Sequence, residues 1–178
     1  TDTTWDIGSS GDYSTLEDAM EAARSVQIHP DATLTLQLAN DLYYPSDEIN
    51  LNHPQGANII IQGNTSDNTL VKLEFSGTNG LVLNSGHTIG GIHDLTIQGD
   101  GTGLGIYVRQ NSVASLDNVT IDGMDRGIQV WNGSLVYLSG SNVVQNSVGY
   151  GISARFNSVL YAEDDSIDVI NSGSDGFH

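Results

Sequence analysis

Four segments of this chain align on an initial glycine, and that in-register repeat restricts the possible folds more than any other feature. Gly80 opens GLVLNSGHTIGGIHDLTIQGD, Gly105 opens GIYVRQNSVASLDNVTIDG, Gly127 opens GIQVWNGSLVYLSGSNVVQN, and Gly151 opens GISARFNSVLYAEDDSIDVINSG. The intervals between these glycines are 25, 22 and 24 residues, a period that marks stacked supersecondary units. Each copy reads as a glycine turn, a short alternating strand, an Asn/Gly/Ser turn, a second strand, another turn and a third strand. NIIIQGN from Asn58 to Asn64 reads as an earlier third strand, matching DLTIQGD from Asp94 and NVTIDGM from Asn118.

Strand alternation sends residues i and i+2 to the same side. Superposed copies therefore put Leu81, Ile106, Ile128 and Ile152 in one inward column and Leu83, Val108, Val130 and Ala154 in the next. Ile59/Ile61, Leu95/Ile97 and Val119/Ile121 are expected to do the same in the third strand. One rung cannot bury its apolar edge alone, whereas stacked rungs form a continuous core. Asn and Gly at the corners suit the φ > 0 conformations of sharp turns. An antiparallel β-sandwich does not normally repeat in register. The expected fold is thus all-β, a right-handed parallel β-helix of about five to six coils.

The N-terminus departs from the repeat. Ser14-Thr15-Leu16-Glu17 has the capping-box pattern ahead of LEDAMEAAR, in which Leu16, Ala19, Met20 and Ala23 share one helical face. This predicts an α-helix covering the open end of the solenoid, where core and strand edge would otherwise be exposed. ATLTLQLA (Ala32 to Ala39) reads as a strand. Residues 1–57 then form the cap and a first irregular coil, and residues 58–178 the regular coils of a single domain. Gly176-Phe177-His178 reads as the start of another rung, so further coils or a neighbouring domain are expected.

Charge limits the partners. Five Lys+Arg stand against 22 Asp+Glu, for a formal net charge of −17. A basic stripe cannot be assembled from one lysine and four arginines, which argues against nucleic acid and anionic membranes as partners. No apolar run approaches the ~20 residues of a membrane helix. The chain has no cysteine, which excludes disulfides and thiolate ligands without fixing a compartment.

The pattern G-I-x-V-x-x-(N)-S-V followed by N-V-T-I-x-G resembles the pectin-lyase-like β-helix superfamily over most of the chain. That superfamily includes polysaccharide lyases, pectin hydrolases, uronan epimerases, phage tail fibres and non-catalytic carbohydrate-binding modules. The helix-then-strand opening also resembles phage tail-fibre β-helices. The resemblance implies contact with polysaccharide, in an extracellular setting, and no more specific role.

A lyase or epimerase needs a base beside a cation. Arg109 and Arg155 fall at equivalent outward positions two rungs apart, and Asp117, Asp122, Asp125, Asp164, Asp165 and Asp168 lie near turns, where calcium is conceivable. The epimerases' Asp-Pro-His-Glu motif and the pectin hydrolases' Gly-His-Gly motif are absent, and the adjacent Asp164 and Asp165 would diverge in an extended strand, whereas hydrolysis needs two carboxylates facing across a cleft. His87 and His93 lack a partner at zinc-ligand spacing. No catalytic residue and no cofactor is therefore assigned.

The outward positions of the first strand are more informative. They run Val82, Tyr107, Gln129, Ser153 and then Asn84, Arg109, Trp131, Arg155. An exposed indole with amide and guanidinium neighbours is a sugar platform: the ring covers the C–H face and the polar groups take hydroxyls. Trp131, Tyr107, Arg109, Gln129 and Arg155 are accordingly the candidate carbohydrate-binding residues. Tyr137 and Tyr161 share another column with Ser115, read as an inward or edge stack. The first expectation is a non-catalytic module for a neutral polysaccharide such as xylan, appended to a glycan-degrading enzyme, since −17 would repel uronans. The alternatives are a lyase, epimerase or hydrolase, and a phage-fibre domain, which would trimerise.

Overall fold

The computed structural model describes residues 1–162, 167–174 and 176–178. The chain winds as a parallel β-solenoid of about six turns. Three parallel sheets wall it. The seven-stranded sheet stacks Thr3–Ile7, Leu34–Leu38, Ile59–Gln62, Gly91–His93, Val113–Asp117, Leu135–Ser139 and Val159–Ala162 in chain order. The six-stranded sheet stacks Asp41–Tyr43, Val71–Phe75, Thr96–Gly99, Thr120–Asp122, Asn142–Gln145 and Ile167–Ile170. The five-stranded sheet stacks Ile49–Asn50, Leu81–Leu83, Leu104–Arg109, Arg126–Trp131 and Ile152–Arg155.

Each wall sends apolar side chains to the axis in columns. Ile49, Leu81, Ile106, Ile128 and Ile152 are in register and buried, as are Leu36, Ile61, Ile92, Leu116 and Leu138 on the seven-stranded wall. Leu73, Ile97, Ile121 and Val144 complete the core from the six-stranded wall. Burying each such side chain is worth about 1.5–3 kcal/mol, so the columns supply the stability that a single rung lacks.

NIIIQGN departs from its expected place. Ile59–Gln62 pairs with Leu34–Leu38 and Gly91–His93, in the seven-stranded wall, and the partner of Thr96–Gly99 is Val71–Phe75. Its Ile61-Gln62-Gly63 ending is shared with Ile97-Gln98-Gly99, but alternation alone fits either wall, and the chain length between corners decides. The turn ahead of residue 58 is also in register, with Leu34, Thr35, Leu36 and Gln37 opposite Ile59, Ile60, Ile61 and Gln62.

The helix spans Leu16–Ala23, and its buried residues are Leu16, Ala19, Met20 and Ala23. It packs against Thr3–Ile7, Leu34–Leu38 and Ile49–Asn50, the opening strands of two walls. The cap is Thr15, one residue beyond the expected Ser14. Thr15 Oγ1 accepts from Asp18 N at 3.2 Å and donates to Asp18 Oδ2 at 2.9 Å, so Asp18 rather than Glu17 is the partner of the cap. His53 ties the other end of the helix to the first turn. Gln55 N donates to its Nδ1 at 2.9 Å, which leaves Nε2 to donate to Ala23 O at 3.0 Å.

The corner leading out of the five-stranded wall holds two successive left-handed residues in four turns. They are Ser85-Gly86, Gln110-Asn111, Asn132-Gly133 and Phe156-Asn157, with φ between 52° and 76°. The repeat's leading glycines serve a different end from the one expected. Gly80, Gly105, Gly127 and Gly151 are not left-handed. A Cβ on Gly105, Gly127 or Gly151 would overlap Ile121, Val144 or Val169 of the six-stranded wall. They are glycine for close approach.

Candidate functional site

The outer face of the five-stranded wall gathers the sequence-predicted residues. Arg109, Trp131 and Arg155 are direct neighbours in three successive rungs, and Tyr107, Gln129 and Ser153 form the adjoining column. All lie on the side opposite the buried Ile106, Val108, Ile128 and Val130. Parallel pairing in register is what brings residues 22 and 24 positions apart into one line.

The second of these columns is not the open surface expected. Gln129 is 4% exposed, Ser153 1% and Val82 0%. Long side chains from flanking positions fold over this floor. Arg126 Nη1 donates to Gln129 Oε1 at 3.5 Å, and the Arg126 and Arg155 guanidiniums lie 5.8 and 5.5 Å from the Tyr150 ring centre. Tyr150 itself stacks on His178, at 4.5 Å between ring centres and 16° between planes. Gln129 is thus a buried support, and its amide is turned to Arg126 rather than outward. Tyr107 is half-buried under Arg109, whose guanidinium carbon sits 4.9 Å from the ring centre.

Trp131 is half-buried too, and meets Phe156 edge to face at 5.1 Å with 74° between the rings. Six buried side-chain polar atoms find no hydrogen-bond partner among the described residues, and four belong to this face: Arg109 Nε, Trp131 Nε1, Ser153 Oγ and Arg155 Nε. All four can donate. Burying a donor unpaired costs about 1–3 kcal/mol, so their concentration marks a surface not optimised for stability alone.

Charge is unevenly distributed. Three of the chain's five basic residues, Arg109, Arg126 and Arg155, meet here. Arg126 Nε lies 3.6 Å from Asp125 Oδ2. Arg109 and Arg155 have no ion-pair partner among the described residues.

Sequence reasoning missed Arg126, Tyr150, Phe156 and His178. A signal was available for two of them: Arg126 and Tyr150 both stand one residue before a repeat glycine, outside the alternating strand that defined the columns. Phe156 was hidden because its position reads as a turn.

Asp122 and His87 make contacts within the fold. Asp122 accepts from Gln145 Nε2 at 3.0 Å and Asn146 Nδ2 at 2.8 Å, bracing a corner. His87 Nδ1 faces His53 O at 3.2 Å. Asp164 and Asp165 lie outside the described residues. No group of three or more His, Asp or Glu is placed to hold a metal ion among the described residues. No helix among them is long and apolar enough to cross a membrane. Tyr137 and Tyr161 face outward, 45% and 53% exposed, with ring centres 6.1 Å apart. Of the inward or edge stack expected, the inward alternative is excluded: Val136 and Leu138 are buried, so Tyr137 between them points out.

Fold and face together define a class: a parallel β-solenoid with an aromatic, arginine-bearing outer wall. No family model, curated protein or solved structure matches the chain.

Proposed function

We propose that this solenoid is a carbohydrate-binding domain that holds an extended polysaccharide across the outer face of its five-stranded wall without altering it, and that the polysaccharide bears acidic groups. The observation that carries the reading is the line Arg109, Trp131, Arg155, two arginines without carboxylate partners among the described residues on either side of an indole. Rungs are ~4.8 Å apart, so the two arginine positions are separated by roughly 10 Å, a spacing suited to alternate units of an extended glycan. An indole covers the C–H face of a pyranose, and guanidinium groups bind carboxylate or sulfate through paired hydrogen bonds.

The net charge of −17 argued for a neutral ligand. Its distribution argues otherwise, because charges beyond about 10 Å are screened at 0.1 M salt and the arginines dominate locally. The likeness of the repeat to the pectin-lyase-like superfamily points the same way.

Affinity electrophoresis through gels containing polygalacturonate, alginate, dextran sulfate or xylan tests this, alongside an assay for new reducing or unsaturated ends. Retention is expected in at least one acidic gel and not in xylan, with no new ends. Trp131→Ala should weaken retention by tenfold or more, as loss of a central aromatic contact does. Absence of retention in all four gels overturns the proposal. New ends that vanish in Arg109→Ala or Arg155→Ala would favour a lyase or hydrolase.

A further inference from the structure

We infer that Phe156 is a ligand-contact residue, held in a strained backbone conformation so that its ring forms a side wall to the indole of Trp131. This rests on the carbohydrate-binding reading above and adds a second aromatic to it, at the corner beyond the sheet.

The backbone is the first observation. Phe156 has φ +56°, a left-handed conformation in which a bulky side chain with a Cβ is disfavoured. Three other turns place Ser85, Gln110 and Asn132 at the same corner position, with φ 60°, 60° and 52°. Stacking confirms the equivalence: Gln110 N donates to Trp131 O, and Gly133 N to Phe156 O at 3.0 Å. Polar side chains suit such corners, and Asn tolerates them best. A phenyl group there has no local justification.

Packing gives none either. Phe156 is 63% exposed, so it recovers little of what burial gives a core aromatic. What its position does achieve is geometric. The Trp131 and Phe156 rings stand 74° apart with centres 5.1 Å apart, a ledge and a wall rather than a single flat platform. Arg155, the residue before Phe156, and Arg109 flank the ledge across neighbouring rungs. The chemistry that fits is one pyranose ring seated with a C–H face on the indole, its edge against Phe156, and its acidic or hydroxyl substituents toward the guanidiniums. Strain retained at an exposed aromatic is how binding sites pre-set a contact at the expense of stability.

Phe156→Asn and Phe156→Tyr decide it, with each gel of the polysaccharide panel as probe and thermal melting as the second readout. Phe156→Asn puts at this corner the residue found one turn earlier. Tm should hold or rise by roughly 2–4 °C as strain is relieved, while retention weakens by about tenfold. Phe156→Tyr should keep retention near that of the parent protein. Unchanged retention in Phe156→Asn while Trp131→Ala loses it would sink this inference and leave the binding proposal standing. A Tm drop of more than about 4 °C in Phe156→Asn would make Phe156 a structural cover and also overturn it. If the parent protein is retained by none of the polysaccharides, both ideas fall.

Discussion

At Gly127 a single added methyl group would meet two walls of the solenoid at once. Its Cβ would overlap Val144 on the six-stranded wall and approach Gly151 O, in the next rung, at 2.6 Å. Neither neighbour can yield cheaply, since Val144 is buried and the carbonyl belongs to the ladder. Gly127→Ala is expected to cost about 1–3 kcal/mol as overpacking, lowering Tm by several degrees. Gly86 is the useful contrast. It is left-handed at φ 76° but has open space where a Cβ would go, so Gly86→Asn, which suits that backbone, should change Tm little. Thermal melts of the two variants separate the roles. If Gly86→Asn is the more damaging, close approach is not why the repeat begins with glycine. From sequence both positions read as turn glycines, because a period shows where a glycine recurs but not which atoms crowd it.

Between elements, the corners are fastened by side chains that reach from one turn to the next. Asp100 is the clearest of these staples. It follows the strand Thr96–Gly99 and accepts from Thr102 N at 3.1 Å in its own corner, and from Ser76 Oγ at 2.7 Å and Gly77 N at 3.1 Å in the preceding turn. Hydrogen bonds from the Thr102 hydroxyl first, then Ser76 and the backbone, hold its carboxyl down from 3.8 to about 2. A carboxyl with a folded pKa below its unfolded one stabilises above the unfolded value, and that contribution disappears as pH falls through the folded one. Asp100→Asn should therefore melt below the parent at pH 7, with the gap closing between pH 3.8 and about 2. A gap constant with pH would show that the charge on Asp100 does not matter. Such contacts were not legible beforehand, since they depend on which corners stack. The same limit explains NIIIQGN. Alternation set the burial of Ile59 and Ile61 correctly, but the wall depends on corner lengths between Gln62 and Leu81 that differ from those of later turns. It explains Gln129 as well. Parity placed it on the outer side, while the side chains that close over it come from Arg126, at the very start of its strand, and from Tyr150, in the turn ahead of the next rung. The columns around Ile106, Ile128 and Ile152, by contrast, followed directly from the glycine repeat.

Over the whole molecule, two electrostatic effects of opposite sign act on one chain. The formal charge of −17 is carried by a single solenoid of about six turns, whose corners place carboxylates such as Asp47, Asp67 and Asp100 on the outside. Like charges at that density repel and destabilise the compact state. The five-stranded wall is the local exception, where Arg109 and Arg155 have no acidic partner among the described residues. Salt screens both effects, with a Debye length of about 30 Å at 0.01 M and 3 Å at 1 M. Raising NaCl across that range should increase Tm, because the repulsion lost is spread over the folded surface. The same titration should weaken retention by an acidic polysaccharide, because the attraction lost is concentrated at two arginines. Arg109→Gln and Arg155→Gln should each reduce the salt sensitivity of retention while leaving the rise in Tm intact. Melting curves and affinity electrophoresis run over one salt series test both halves. If retention strengthens with salt, stacking on Trp131 and Phe156 rather than the arginines holds the glycan. If Tm falls with salt, attraction rather than self-repulsion dominates the surface of this acidic solenoid.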